Sequence, residues 1–537
     1  MLRAAPAFGR QQAILLGALL AFGGLVRALA WKHTEVLFND GPVFLAMAEA
    51  WQSGRFAEVL AHPYHPLYPI LIAWLAPLSG GPEAAGVALS ILGGLLAVFA
   101  VFVFAWNAFG REVAWASGWV LCLHPWAVDF SADVMSDGVY AGLYLSGFAA
   151  LCATLKRPRW TSAVLCGVFA ALAYGVRPEG VGLLILAVGM LGWTAWRMPT
   201  TRGASIKAIG ILAFVAIVVS LPFLNAQQAE NGVPSLSSKK SVEQLIAGGP
   251  TEAERAEDRR ARRQARSLAA QEGRALLPLP ESAIRSDGRP ERLPARTLGG
   301  AAESVTRVAR TSAAAFRYEL LVFAVLGAAL MRSEWRRDRE GAILGAVTLY
   351  SAVLILLVWG AGYVGRRHAL TATLPAIPLA VAGWFGLCRR VHSRYFPKQE
   401  GAFRAQSATI VLVVLLLLAW GPRDLRSRRS DRAPTRAAAE WLAENHPSSG
   451  AVAAQKLRTA YYAEATFVPL PPGHDGLMQQ QLTRRRTRWV VIDTGKLDDH
   501  LGLRAGIGDW LQLRHEELGE GRRVLVLEIT PEPASSL

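Results

Sequence analysis

Apolar runs divide this chain into a series of candidate membrane spans. About eleven of them approach the roughly 20 residues that an α-helix needs to cross the hydrocarbon core of a bilayer. The predicted spans are residues 12–30, 84–106, 113–128, 137–155, 160–176, 180–196, 208–225, 316–331, 341–360, 369–388 and 406–421. The bounds of the shorter runs leave this count open by about two spans. We therefore predict a polytopic α-helical membrane protein.

The basic residues between the spans predict which side of the membrane each loop occupies. With the N-terminus in the cytoplasm, the inner segments carry clusters of lysine and arginine, for example around Arg111, Lys156 and Arg197. The short outer loops carry few, and this asymmetry follows the positive-inside rule. We expect a cytoplasmic N-terminus and three large polar segments on the outer side, namely the loops 31–83 and 226–315 and the tail 426–537.

The C-terminal tail has a different pattern from the rest of the chain. APTRAAAEWLAENHP is typical of an amphipathic helix, and GAVAAQK, RWVVIDT and RRVLVLEIT are typical of strands. Strands that alternate with helices predict a small α/β domain. Since no Gly-rich phosphate-binding motif accompanies it, we interpret it as an extracytoplasmic accessory domain.

The composition favours a membrane protein over a nucleic-acid-binding protein. Hydrophobic residues make up 52% of the 537 residues and charged residues 18%, which is more apolar than a typical soluble domain. The net charge of +16 could indicate nucleic acid binding. The basic residues lie between apolar runs, so we interpret them as anchors of the inner loops and expect a lipid bilayer, not nucleic acid, as partner. The four cysteines lie in or beside apolar runs and indicate no disulfide framework.

Asp40 is the residue on which the functional interpretation depends. It follows the first predicted span and precedes the helical pattern GPVFLAMAEAW. An acid at a helix start is stabilised by the free N–H groups and the helix dipole, so capping is one interpretation. The other is a general base that takes a proton from an acceptor hydroxyl or amine at the membrane surface.

His62 and His65 lie in the same outer segment, in HPYHPLYP. The prolines exclude a regular helix, and the neighbouring tyrosines suit a membrane interface. The pair is therefore either an aromatic-anchored loop or a set of imidazoles that bind phosphate or a metal. Two histidines with no third ligand make a weak zinc motif.

Ionisable residues also stand at the outer ends of later spans. Asp137 opens the fourth span after Asp129 and Asp133, and this spacing would place the three acids on one helix face, where they could hold a divalent cation or simply be solvated. Arg177 and Glu179, in YGVRPEG, lie between two spans with almost no loop. Such groups face a cavity or pair with each other, and the pattern leaves both interpretations open.

Outer-side cations complete the candidate site. Lys240 lies in LSSKKS, and Arg366, Arg367 and His368 lie in GYVGRRHAL. Arginine suits bidentate contacts with phosphate, although cations at helix ends also serve as ordinary interfacial anchors. The second cluster is the more persuasive, because it stands against the positive-inside pattern in a short outer loop.

Taken in order, these motifs resemble a known group of enzymes. FLAMAEAWQSG after Asp40, HPLYP, LHPWAVDFSADVMSDGVY, LAYGVRPEG and YVGRRHALTATLPAIPLAVAG resemble the GT-C-fold glycosyltransferases that use polyprenyl-phosphate sugars. More narrowly, they resemble bacterial protein O-mannosyltransferases and lipid A aminoarabinose transferases. The resemblance covers about residues 10–425.

The resemblance implies a single inverting displacement on the extracytoplasmic face of a bacterial inner membrane. The sugar of a polyprenyl-phosphate donor would pass to a glycan, lipid or protein acceptor. Asp40 and Asp137 would be the catalytic acids. The donor phosphate would be held by Arg177, Arg366, Arg367 and Lys240, and His62, His65, Glu179 and His368 would line the acceptor or sugar pocket. The resemblance leaves the need for a metal open.

Two departures from the group, and two other functions, accompany this interpretation. Many members carry a second acid directly after the first, where this chain has Gly41, and a tyrosine where it has Phe44. A transporter or flippase would also place charges in the membrane, but would favour internal repeats, which the sequence does not show. A non-catalytic membrane scaffold would leave Asp40 and the outer arginines unexplained.

Overall fold

The computed structural model describes two compact units. It describes residues 9–231, 298–330, 340–395, 405–447, 450–470, 477–519 and 521–530. Within these ranges, the first unit takes the residues of 1–30, 50–276 and 290–425, and the second takes those of 31–49 and 426–537.

The first unit is a helical bundle. Its helices, together with α2, which begins in the second unit, are α1 (Arg10–Lys32), α2 (Gly41–Gln52), α3 (Phe56–Ala61), α4 (Leu67–Ser79), α5 (Pro82–Ala108), α6 (Arg111–Leu123), α7 (Pro125–Ser131), α8 (Ser136–Lys156), α9 (Trp160–Val176), α10 (Val181–Arg197), α11 (Arg202–Asn231), α12 (Leu298–Phe316), α13 (Tyr318–Leu330), α14 (Glu340–Ala361), α15 (Arg366–Thr373), α16 (Ile377–Tyr395) and α17 (Ala405–Asp424).

The length and composition of these helices confirm a polytopic membrane protein. Among the described residues, eight helical stretches are long and apolar enough to cross a bilayer. The count is nine if α12 and α13, which meet at an angle of 98°, form one broken span. Arg317 between them has a φ of +70°, a left-handed conformation that ends α12. The chain is thus an integral membrane protein with most of its predicted spans in place.

The predicted span 113–128 is divided into two helices. α6 ends at Leu123, and α7 begins at Pro125. A proline has no N–H and fits the first turn of a new helix, so it ends α6 and starts α7. α7 in turn ends at Ser131, before α8 begins at Ser136, and the prediction that Asp129, Asp133 and Asp137 share one helix face was therefore wrong.

Glycines allow the central helices to approach closely. A Cβ atom built on Gly93 of α5 would lie 2.4 Å from the Val139 backbone of α8, and one on Gly142 would lie 2.5 Å from the Gly93 carbonyl oxygen. α13 and α16 meet in the same way at Gly327 and Gly383. Within a bilayer the hydrophobic effect does not drive helices together. Small residues at such crossings let the backbones approach, so that van der Waals packing holds the helices together.

We expect Gly383→Ala to destabilise the bundle strongly. The added Cβ would lie 1.9 Å from the Phe323 carbonyl oxygen, and a helix backbone cannot move away as a side chain can. The cost should be about 3 kcal/mol, the upper end for overpacked positions. The measurement is the thermal unfolding of the purified protein in detergent. Gly189→Ala in α10 is the matched control, since no atom lies within 4 Å of its Cβ, and equal melting temperatures for the two variants would contradict the prediction.

The second unit contains a five-stranded mixed sheet. Its strands are β1 (Ala451–Ala454), β2 (Thr466–Pro469), β3 (Thr487–Asp493), β4 (Leu511–Gly519) and β5 (Arg522–Ile529), in the order β2-β1-β3-β5-β4. β1 pairs parallel with β2 and β3, and β5 pairs antiparallel with β3 and β4. Its helices are α18 (Ala433–Asn445), α19 (Leu457–Tyr462), α20 (Leu477–Arg484) and α21 (Leu501–Gly506).

Both faces of this sheet are covered. Along β3, Trp489 and Val491 pack with Leu442 of α18 on one face, while Val490 and Ile492 pack on the other. The predicted α/β pattern of the tail is confirmed, with β1, β3, β5 and α18 where the sequence placed them. β2 and β4 were not predicted, because both are edge strands, one of four residues and the other rich in charge.

Candidate active site

A buried ion-pair cluster lies in the first unit at the start of α8. The Asp137 carboxylate accepts a hydrogen bond from Nη1 of Arg177, and Nη2 of Arg177 lies 3.0 Å from Oε1 of Glu179. The side chains of Asp137 and Arg177 are 9% and 12% exposed. The two acids are thus neutralised in part by one guanidinium. Of the two interpretations that the sequence left open for Arg177 and Glu179, their mutual pairing is present, and it includes Asp137 as a third member.

The turn between α9 and α10 directs these side chains. Arg177 is extended, and Pro178–Gly180 forms one turn of 3₁₀-helix before α10. A Cβ at Gly180 would lie 2.2 Å from the Tyr174 amide nitrogen, so the turn folds tightly against the end of α9. The hydroxyl of Tyr350, from α14, donates to the Glu179 carbonyl at 3.1 Å. The cluster therefore sits on a backbone held from two sides.

Charge and aromatic contacts keep Arg177 ionised. Burial disfavours the charged guanidinium, but the carboxylates of Asp137 and Glu179 outweigh burial and hold the pKa of Arg177 above its ordinary value. Its guanidinium carbon also lies 5.6 Å from the ring centre of Tyr140, within the range of a cation–π contact.

A small cavity adjoins this cluster. It has a volume of about 30 Å³, which is enough for a water molecule. Its polar lining comes from four helices, α1, α7, α8 and α15, and comprises Arg27, Ser131, Asp137, Tyr140, Tyr144, Arg367 and Thr371. Two guanidinium groups thus line it together with one carboxylate that is already paired.

Arg27 is a candidate that the sequence analysis missed. It is fully buried in α1, and its Nε–H donates to the Ser131 hydroxyl at 2.8 Å. Nη1 donates to the carbonyl oxygens of Gly23 at 3.1 Å and Cys122 at 3.3 Å. An arginine inside an apolar span is costly and usually marks a functional position, so its place in the run LLAFGGLVRALAW was the available indication.

The outer arginines Arg366 and Arg367 have different surroundings. Arg366 is exposed at the start of α15, and its guanidinium carbon lies 4.3 Å from the ring centre of Trp126. The guanidinium of Arg423 lies 4.0 Å from the same ring. Arg367 lines the cavity instead. Arg367 and Asp137 thus line the same cavity, whereas Arg366 packs against the Trp126 ring.

The three candidate histidines contact backbone groups, two of them nearby in the sequence and one 109 residues away. His62 and His65 are buried in the first unit: Nδ1 of His62 accepts from the Tyr64 amide at 3.0 Å, and Nδ1 of His65 lies 2.5 Å from the Tyr174 carbonyl. Nδ1 of His368 accepts from the Gly365 amide at 3.2 Å, at the start of α15. Their assignment to a sugar or acceptor pocket stays a prediction.

The sequence also raised a possible metal site and Lys240 as a phosphate ligand. Lys240 lies outside the described residues. Across the described ranges, no three histidine, cysteine, aspartate or glutamate side chains come close enough to hold a metal ion.

Asp40 belongs to the second unit and stands at the start of a helix, as predicted. It is 8% exposed and directly precedes α2. Its carbonyl oxygen accepts from the Phe44 amide at 3.2 Å, which closes the first helical turn. Gly41 is the first residue of α2.

Solved structures share this architecture over most of the chain. ArnT from Cupriavidus metallidurans bound to undecaprenyl phosphate is 13% identical, with a TM-score of 0.54, over 96% of this chain and 98% of its own. The Archaeoglobus fulgidus oligosaccharyltransferase in the apo form is 12% identical, with a TM-score of 0.56, over 90% of this chain and 70% of its own. Both have the GT-C fold. This chain has that fold.

A second structure of the A. fulgidus oligosaccharyltransferase AglB holds an inhibitory peptide and dolichol-phosphate. It is 12% identical, with a TM-score of 0.54, over 91% of this chain and 70% of its own. By sequence, no protein-family profile and no curated protein matches this chain. The predicted GT-C-like fold is confirmed by structure, at identities that establish the fold alone.

Proposed function

We propose that this protein is a membrane glycosyltransferase that moves a sugar from a polyprenyl-phosphate donor to an acceptor. The arginine-lined cavity beside the buried Asp137–Arg177–Glu179 cluster carries the proposal. Cationic donors in a water-poor site stabilise a phosphate that gains charge as it leaves, far better than they would in water. The structural neighbours that hold undecaprenyl phosphate or dolichol-phosphate support this donor class.

The proposed reaction is one displacement with inversion. An acceptor hydroxyl or amine attacks the anomeric carbon, its proton passes to Asp40, and the bond from that carbon to the phosphate oxygen breaks. The polyprenyl phosphate leaves with both electrons of that bond. Arg27 and Arg367, which line the cavity, hold the leaving phosphate together with Arg177 of the adjoining cluster, and Asp137 fixes Arg177 in place. Asp40 alternatively orients the acceptor without taking its proton.

The proposed setting is the outer face of a bacterial inner membrane. The distribution of basic residues supports a cytoplasmic N-terminus and outer segments that include Asp40 and the tail. The acceptor is a glycan, a lipid or a protein.

The test is an assay of donor cleavage by the purified full-length protein. The protein would receive polyprenyl-phosphate sugars with candidate acceptors, and released polyprenyl phosphate would be measured. Acceptor-dependent release is expected. If every donor and acceptor pair gives none, and labelled lipid crosses vesicles that contain the protein, the flippase interpretation replaces the transferase.

We expect Gly94→Ala to weaken donor binding through Arg27. A Cβ at Gly94 would lie 2.6 Å from both Nε of Arg27 and Oγ of Ser131, so the guanidinium must move. The KM for the donor should rise about tenfold, since a charge-assisted hydrogen bond is lost or misaligned. Gly192→Ala, where nothing lies within 4 Å of the new Cβ, is the control. A donor KM equal to that of the control would exclude Arg27 from the phosphate site.

A further inference from the structure

The segment before Asp40 is bonded to the C-terminal tail within the second unit. The Arg428 amide donates to the His33 carbonyl at 2.8 Å, and the Glu35 amide donates back to the Arg428 carbonyl at 3.2 Å. Thr34 and Arg428 form a parallel β-bridge. The Leu37 amide donates to the Tyr462 hydroxyl at 2.9 Å. A stretch without regular structure of its own is therefore held in a defined conformation.

Three successive carbonyls of this segment each accept from a different arginine. Arg436 donates to the Glu35 carbonyl at 2.8 Å, Arg429 to the Val36 carbonyl and Arg458 to the Leu37 carbonyl at 3.3 Å. Hydrogen bonds from a charged donor are stronger than neutral ones. We call these three arginines and Tyr462 the arginine clamp.

The clamp residues have contacts of their own. Arg436 has a 41% exposed side chain that pairs with Glu440 at 2.7 Å, and its guanidinium carbon lies 4.9 Å from the ring centre of Tyr462. Arg458 is only 5% exposed. The buried Arg458 should therefore hold the backbone more precisely than the exposed Arg436 does.

The clamp exists at a cost to the fold. Arg429 has a φ of +59°, a left-handed conformation that a residue with a side chain rarely adopts. Burial and the nearby charges of Arg432 and Arg429 lower the pKa of Arg458, because like charges gathered in a buried place disfavour one another. Local strain and repulsion that the surroundings maintain are typical of sites under functional constraint.

We propose that Arg429, Arg436, Arg458 and Tyr462 are positioning residues that fix the location of Asp40 by holding residues 35–37. This inference rests on the function proposed above and deepens it. It gives the C-terminal α/β part a role in the same reaction, since Asp40 comes three residues after the last clamped carbonyl. The clamp touches no reacting atom and acts through Asp40.

The test measures two quantities in the same variants of the full-length protein: the amide exchange of the segment before Asp40 and the rate of donor cleavage. Tyr462→Phe removes the acceptor of the Leu37 amide with little other change, and Arg458→Gln removes one guanidinium. Amide exchange of the peptide containing residues 33–40 should become about tenfold faster.

The kcat should fall about fivefold or more with the donor KM unchanged, because the phosphate contacts are intact. Arg458→Lys should restore part of the loss.

Arg514→Gln is the matched control, an exposed arginine of the same unit that pairs with Glu528 at 2.7 Å. It should change neither the exchange nor kcat. Tyr462→Phe is the variant with the smallest expected effect on folding. If its amide exchange is unchanged, the clamp does not hold residues 35–37. Faster exchange with unchanged kcat would overturn its positioning role. A wild-type protein that cleaves no donor would instead count against the proposed function, and the exchange result would still decide whether the clamp holds the segment.

Discussion

Asp40→Asn should reduce acceptor-dependent release of polyprenyl phosphate by about 100-fold or more, the range expected when a general base is removed. The amide keeps the shape of the side chain but cannot take the acceptor proton. Asp40 is 8% exposed at the start of α2, so the substitution should leave the backbone in place. The measurement is the initial rate of release at saturating donor and acceptor, together with the melting temperature.

Glu58→Gln supplies the control for this substitution. It is the same acid-to-amide change at a partly exposed residue whose ion pair with Arg55 spans one helical turn, and such pairs contribute little. Its rate should match that of the wild type. If Asp40→Asn retains a rate within about twofold of the control, Asp40 is neither the base nor an essential acceptor ligand.

Arg177→Leu should cause the second large effect, on stability as well as on turnover. Without the guanidinium, the buried Asp137 and the partly exposed Glu179 both lose the cation that they share. Removing one partner of a buried ion pair costs about 3–5 kcal/mol. Turnover should fall below detection, because the same guanidinium is proposed to hold the leaving phosphate. Unfolding in detergent and donor cleavage are measured side by side.

Two further variants separate these effects. Arg197→Gln alters an exposed arginine at the end of α10 that stacks on Trp193, and should leave both measurements unchanged. Arg177→Lys keeps the charge but loses the planar fork, so stability should recover more than turnover. Normal stability in Arg177→Leu would show that the cluster is not an essential ion pair.

The sequence predicted most helices and strands because their apolar periodicity is set by local residue order. The runs that became α1, α5 and α8 had the length of a span, and β3 and β5 were continuous apolar stretches. The charged edge strand β4 gave no such pattern, since all of its residues except Leu511 are exposed or partly exposed.

The candidate site was less accessible to prediction than the fold. Arg177 and Glu179 are two residues apart, so their pairing could be foreseen from the sequence. Asp137 joins them from 40 residues away, through the crossing of α8 and α9, which no local pattern encodes. Arg27 carried an indication in its apolar context, but its contact with Ser131 depends on the tertiary packing of α1 against α7.

The pairing of residues 33–37 with residues 428–462 has a consequence for biosynthesis. About four hundred residues separate the two partners, so the N-terminal half of this pairing leaves the ribosome long before the other half exists. Membrane insertion of the early helices cannot by itself give the Asp40 segment its final conformation. The nascent protein should therefore mature only after residues 428–462 are translated, so that chains ending before them have no ordered Asp40 segment.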